Sequence, residues 1–178
     1  MTDLSDTIAA IATGMNQGGI GVIRVSGDEA ITAVNSIFVP KKKDKEICNL
    51  DSYTAAYGNV VNPTDNSIID EVIVLVMKSP YTYTKEDVVE IDCHGGMQVM
   101  REILHVLTDN SNVRLAEPGE FTERAFLNGR IDLSQAESVM DLSLSLNAEK
   151  EWVKELIGMG MLKDLLDEER QKMREERQ

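Results

Sequence analysis

Hydrophobic and polar positions change period several times along the chain, and each change predicts an element. Residues 6–12 (Asp-Thr-Ile-Ala-Ala-Ile-Ala) read as a first strand and residues 21–26 (Gly-Val-Ile-Arg-Val-Ser) as a second, joined by a loop over 14–19. Asp28 is placed to cap a helix whose apolar positions Ile31, Val34 and Phe38 follow helical spacing, and Pro40 ends it. A charged loop covers 41–45. Residues 53–61 alternate weakly and predict a strand; 62–66 predict a turn; 68–77 predict a largely buried strand interrupted by Asp70 and Glu71; 88–92 predict another strand. Met100, Ile103, Leu104 and Leu107 mark one helix face, and residues 113–115 a short strand.

The stretch from Glu117 to Glu137 predicts a short helix, a stop at Gly129 in a left-handed conformation, an exposed Arg130, and a second helix from about Gln135. Ser134 and Glu137 form a capping-box pattern for that second helix. Beyond 148, Trp152, Leu156, Met159 and Leu166 mark an apolar helical face that ends in densely mixed charges. Strand-rich sequence with interspersed helices and a helical end predicts an α+β fold: a mixed β-sheet with packed helices over 1–118, then a C-terminal helical segment over 119–178.

Composition narrows the function classes. Of 178 residues, 42% are hydrophobic and only 4% aromatic, so the core is expected to be aliphatic and Met-rich. The net charge of −13 argues against direct nucleic-acid binding, which needs basic patches to neutralise phosphates. Cys48 and Cys93 have neither disulfide-framework nor metal-ligand spacing, which suits a reducing compartment. No apolar run reaches membrane-spanning length, and Asp3 and Asp6 stand where a signal peptide carries basic residues, so a soluble cytoplasmic protein is expected.

Three charged positions are candidates for chemistry. Arg24 lies in an apolar strand on the face it shares with Val22 and Ser26; Glu90 lies likewise on the face of Val88 and Asp92. Each either lines a solvated face or is aimed at a ligand. Arg130, after Asn128-Gly129, is either a surface arginine on the carbonyls of the preceding helix or a side chain projected into a site. Cys93-His94-Gly95-Gly96 reads first as a tight strand-to-helix turn, with anion binding by its amides as the alternative. Cys93 reads as a buried structural thiol before a nucleophile, and His94 has no partner spaced for zinc. There is neither a phosphate-binding P-loop nor a Ser-His-Asp set in the sequence.

Several motifs then occur in order: residues 6–13, Gly18-Gly-Ile-Gly-Val-Ile-Arg-Val-Ser-Gly27, Tyr83-Thr-Lys-Glu-Asp-Val-Val-Glu-Ile91, His94-Gly-Gly96, and the 117–137 stretch. Together they resemble the amino-terminal domain of the MnmE/TrmE tRNA-modification GTPases over about residues 4–145. The resemblance implies a fold like the folate-binding domains of aminomethyltransferases, homodimerisation, and binding of 5-formyl- or 5,10-methylenetetrahydrofolate as a one-carbon source. In the full-length family the work is modification of the wobble uridine of tRNA, with an FAD-dependent MnmG (GidA)-like partner. The family's folate contacts fall on Arg24, Glu90 and Arg130; the last is usually lysine, and arginine keeps the charge with a different donor geometry.

The chemistry of these types suits the implied ligand. A pterin edge presents adjacent N–H donors that a carboxylate such as Glu90 accepts, while folate carboxylates and carbonyls accept from arginine. Two departures matter. The loop before the second strand usually reads Pro-Pro-Gly-Arg-Gly-Gly, and here Gln17 stands at the basic position. The match fades after about Leu146, and a GTP-binding domain and terminal Cys-x-Gly-Lys motif are not in the sequence, so GTP, magnesium and potassium are not expected ligands of this chain and no catalytic residue is assigned. The alternative reading is a dimerisation or interaction module with a vestigial folate site.

Overall fold

The computed structural model describes residues 6–14, 18–42 and 45–139. Within them the chain forms a seven-stranded mixed sheet with helices, in the order β1 (Thr7–Ile11), β2 (Ile20–Ser26), α1 (Ala30–Ile37), β3 (Phe38–Pro40), a 3-10 turn (Ile47–Asn49), β4 (Thr54–Val61), β5 (Ile68–Met77), β6 (Val88–His94), α2 (Met97–Asp109), β7 (Val113–Leu115) and α3 (Glu120–Leu127). The expected α+β class is therefore observed. Residues 133–139 are also helical. The expected helical face at Trp152, Leu156, Met159 and Leu166 lies outside the described residues. By contacts the chain divides into two compact units, Met1–Asp132 and Leu133–Gln178. α3 and Arg130 thus belong with the sheet.

Spatial order in the sheet is β3-β4-β5-β6-β2-β1-β7. Only the edge pair β1–β7 is parallel; every other pair is antiparallel. Strand alternation places Ile23, Val25, Val74, Val76, Val89 and Ile91 on one face, where they are fully buried. Helices α1 and α2 cover that face with Ala33, Val34, Ile37, Met100, Ile103 and Leu107. Burying each aliphatic side chain of this kind contributes roughly 1.5–3 kcal/mol, so this layer supplies the main driving force for folding. As expected from the lack of aromatics, Phe38 is the only aromatic side chain in the buried cluster of the described residues.

Several local expectations are corrected. The first helix stops at Ile37, and Phe38–Pro40 pairs with β4 as an edge strand instead of continuing the helix to Pro40. Proline is acceptable there because an edge strand has an unpaired side. Asp28 does not cap α1; the cap is Glu29, without a side-chain hydrogen bond, and the Glu29 amide donates to the Thr7 hydroxyl at 3.0 Å. Ser134 lies inside the last described helix, which begins at 133, and its carbonyl accepts from the Ser138 hydroxyl at 2.8 Å. Gly129 does stand in the left-handed region, φ +67°, just past α3.

The Cys93–Gly96 stretch is a strand-to-helix turn, with Gly96 at the N-terminal cap of α2. The two glycines differ in need. A Cβ on Gly95 would sit 2.0 Å from the Gly18 carbonyl oxygen, whereas one on Gly96 would meet nothing closer than 3.9 Å. Gly95→Ala is therefore expected to destabilise the chain by roughly 1–3 kcal/mol, because backbone has to shift. Gly96→Ala is expected to stay within about 1 kcal/mol, since its backbone suits alanine. Urea denaturation of the two variants checks the difference.

Candidate functional site

The two strands that carry Arg24 and Glu90 are neighbours, although more than sixty residues separate them. In the β2–β6 register Arg24 stands directly opposite Glu90. Both point away from the helix-covered face, because Ile23, Val25, Val89 and Ile91 occupy it. Arg24 donates to Glu90 Oε1 twice, from Nε at 2.9 Å and from a terminal nitrogen at 2.7 Å. The side chains are 31% and 21% exposed, so the pair is neither a free surface ion pair nor buried. Among the described residues both of these bonds go to Oε1, and none is made to Oε2 of Glu90.

Arg130 joins them from the far end of α3. Its Nε donates to the Thr82 carbonyl at 3.1 Å, in the loop between β5 and β6, and its amide bonds the Ala125 carbonyl at 2.8 Å. The guanidinium therefore does not fold back on its own helix end. Lys85 serves there instead, donating from Nζ to the Gly129 carbonyl at 3.1 Å. The Arg130 guanidinium carbon lies 5.5 Å from the centre of the Tyr83 ring, and that of Arg24 lies 5.9 Å from the same centre. Arg24 is also 5.9 Å from the Phe121 ring of α3. All three predicted residues thus gather at one place, around an aromatic pair that the sequence analysis did not single out. Two guanidiniums meet here beside the Glu90 carboxylate, with Asp92 next to Glu90 on the same face.

A depression of about 700 Å³ lies beside Lys85 and Asn128, and another of about 330 Å³ beside Tyr57, Ile73, Asp92 and His94, but neither is lined by Arg24, Glu90 or Arg130. Burial, then the neighbouring Glu90 charge, push the Asp92 carboxyl above its ordinary value. Cys93 is a structural thiol: it is buried, donates to the Gly21 carbonyl at 3.3 Å, and burial pushes it up to about 11. His94 pairs through Nδ1 with Asp70 at 2.7 Å on the surface. No group of three or more metal-ligating side chains occurs among the described residues.

A second charged assembly, unexpected from sequence, fixes the elements that carry the site. Arg124 of α3 is 1% exposed and is met by Glu120 at 3.0 Å, Asp6 at 2.7 Å and Glu86 at 3.2 Å; Arg114 of β7 shares Glu120 and Asp6. Glu86 also accepts from the Ser26 hydroxyl at 2.7 Å. One network therefore joins β1, β2, β7, α3 and the β5–β6 loop. The signal available in the sequence was the Glu120–Arg124 spacing of four on a short helix. Burial pushes Glu120 upward, but hydrogen bonds from Arg114, the Glu117 amide and Arg124 overcome it, so the carboxyl falls to about 2. Asp6 is likewise held below its ordinary value: burial opposes this, and hydrogen bonds from Arg114 and Arg124 outweigh it.

The described residues thus form an α+β domain with a cluster of charged and aromatic side chains on the sheet face opposite α1 and α2. The family described as GTP-binding protein TrmE N-terminus matches residues 7–130, and the chain belongs to that family. Among similar proteins, the tRNA modification GTPase MnmE of Carboxydothermus hydrogenoformans is 49% identical over 173 residues, covering 96% of this chain and 36% of that protein. The MnmE of Lachnoclostridium phytofermentans is 52% identical over 138 residues, 78% of this chain and 30% of its own length. That of Lactiplantibacillus plantarum is 53% identical over 137 residues, 77% of this chain and 28% of its own. The chain thus spans about a third of the length of the curated relatives it matches.

The depressed carboxyl of Glu120 makes a pH prediction. A folded value near about 2, against an ordinary 4.5, means that its stabilisation is complete above about pH 4.5 and is lost as pH falls toward 2. The shift corresponds to ~3 kcal/mol. Glu120→Gln is expected to cost about 3 kcal/mol at pH 7, and the gap from the unsubstituted chain is expected to close progressively below pH 4.5. Urea midpoints of both chains between pH 2 and 7 check it.

Proposed function

We propose that the chain binds a one-carbon tetrahydrofolate, 5-formyl or 5,10-methylene, through Glu90, Arg24 and Arg130, as the N-terminal domain of a tRNA wobble-uridine modification protein. The observation that carries this reading is the convergence of those three side chains, from β2, β6 and the end of α3, on one open face. Their chemistry is complementary to a folate. The second Glu90 oxygen, which Arg24 does not engage, accepts from the N–H groups of a pterin edge, and the guanidiniums donate to carbonyl and carboxylate oxygens. Membership of the TrmE N-terminus family supports the tRNA-modification setting, since the relatives are named tRNA modification GTPases. In that setting an MnmG-like FAD protein and tRNA are the partners of the whole protein, and the compartment is the cytoplasm. No helix of the described residues is long and apolar enough to cross a membrane.

The reading includes a homodimer. On the Arg24 face, the next row of the sheet register runs Val22, Asp92, Ile73, Tyr57. Ile20 on the same face is 67% exposed, Tyr57 52% and Ile73 47%, an apolar surface bordering the site. Such surface on an antiparallel sheet is suited to burial against a second copy.

Calorimetric titration of the full chain with 5-formyltetrahydrofolate is expected to give saturable binding, weakened at least ~10-fold by Glu90→Ala, the scale of a lost charge-assisted hydrogen bond. Absence of binding at millimolar ligand rejects the folate reading. For the dimer, sedimentation equilibrium is expected to return twice the chain mass, with Ile73→Glu shifting it toward the monomer. A stable dimer without folate affinity favours the interaction-module alternative.

A further inference from the structure

Tyr83 meets both arginines of the proposed site without being one of its charged groups. It lies half-buried in the β5–β6 loop between the buried Thr82 and Thr84. The guanidiniums of Arg24 and Arg130 both lie against its ring, at 5.9 and 5.5 Å from the centre. Its hydroxyl bonds the Thr122 hydroxyl of α3 at 3.1 Å. On either side of it the loop is sewn to the end of α3: the Thr82 carbonyl takes Arg130 Nε, and the Thr84 carbonyl takes the Asn128 amide at 2.6 Å.

We infer that Tyr83 is a positioning residue whose ring face holds the Arg24 and Arg130 guanidiniums together, presenting them to the ligand as one unit beside Glu90. This rests on the folate reading for the identity of the ligand, but not for the arrangement itself. Two cations near a single carboxylate repel each other, and long arginine side chains have many rotamers to lose on binding. The negative face of an aromatic ring attracts a guanidinium and offsets part of that repulsion. A ring that touches both arginines therefore orders them before the ligand arrives, and preordering strengthens binding without a new ligand contact. The hydroxyl has a different task, holding the ring to α3 through Thr122. The face, and not the hydroxyl, carries the positioning role.

Two measurements on the full chain test this. In the ligand-free protein, the Arg24 and Arg130 Nε–H signals, assigned by Arg24→Lys and Arg130→Lys, are expected to be ring-current shifted. Tyr83→Phe retains those shifts, whereas Tyr83→Leu abolishes that of Arg130 and reduces that of Arg24, which keeps the Phe121 ring at 5.9 Å; Tyr83→Met serves if the leucine variant does not fold. Unmoved arginine signals in the leucine or methionine variant overturn the inference, whatever the chain binds. In calorimetry with 5-formyltetrahydrofolate, Tyr83→Phe is expected to stay within ~3-fold of the unsubstituted chain and Tyr83→Leu to weaken binding ~5- to 30-fold, the scale of two ring–cation contacts. That loss is expected to shrink when Arg24→Gln is already present. A loss of the same size in both backgrounds means that the ring meets the ligand directly and overturns the positioning role; so does a large loss in the phenylalanine variant. If the unsubstituted chain binds no folate, the folate reading fails while the arginine signals still decide the role of Tyr83.

Discussion

Arg124 is a cation almost wholly withdrawn from water, and a buried charge is tolerated only when it is paired and hydrogen-bonded. Its carboxylates come from three separate stretches: Asp6 at the entry to β1, Glu86 in the β5–β6 loop, and Glu120 one turn earlier on α3. Meeting that requirement fixes where these stretches lie relative to one another. The hydrophobic layer under α1 and α2 lies on the opposite face of the sheet; it holds β1 and β7 through Ala9 and Val113 but includes no residue of α3. The charged network is thus the second core of the domain, small and polar, and it specifies the side on which the proposed site is built.

The dependence of the site on this network follows from chain connectivity. Tyr83 and Thr82 come three and four residues before Glu86, and Arg130 comes six residues after Arg124. Once Glu86 and Arg124 are held together at 3.2 Å, the loop and the end of α3 have little freedom to separate. The short bonds from Asn128, Lys85 and Arg130 then close the remaining gap. Arg24 and Glu90 need no such device, since the β2–β6 register sets them opposite each other. The site has one rigid half supplied by the sheet and one half whose position depends on buried electrostatics.

This division explains what could be read from the sequence. Period-two alternation assigned Arg24 and Glu90 to the faces opposite their buried neighbours, because one sheet face is apolar and the parity of a strand leaves no choice. It could not say that the two faces are the same one, since β2 and β6 are distant in sequence and become neighbours only through the topology. Gly129 announced the end of α3 because only a left-handed stop was compatible with the pattern. The strand at Phe38–Pro40 was hidden by a proline that reads as a helix terminator and is harmless at a sheet edge. Glu120 and Arg124 carry no mark of burial in their own stretch; long-range partners such as Asp6 and Glu86 show that this face is inside. Tyr83 was invisible for a related reason: an aromatic residue in a loop has no periodicity to betray it.

The same reasoning changes what the net charge of −13 implies. A global excess of acid weakens attraction to an extended polyanion, because such a ligand samples the field of the whole surface. A small anion held in a pocket of charge samples mainly its nearest groups, since exposed charges beyond about a Debye length, roughly 8–10 Å, are largely screened. Around Tyr83 those groups include the Arg24 and Arg130 guanidiniums and the Glu90 carboxylate, which Arg24 engages through a single oxygen, with Asp92 next to Glu90 on the same face. Some of the acid is neutralised elsewhere: Asp6, Glu86 and Glu120 are spent on Arg114 and Arg124. Pairing those carboxylates with buried and edge arginines confines part of the negative field to that network, while Arg24 and Arg130 bring two cations against one ring on a face that also carries Glu71, Glu90 and Asp92. An acidic domain can in this way present a site for an anionic small molecule that its composition alone argues against.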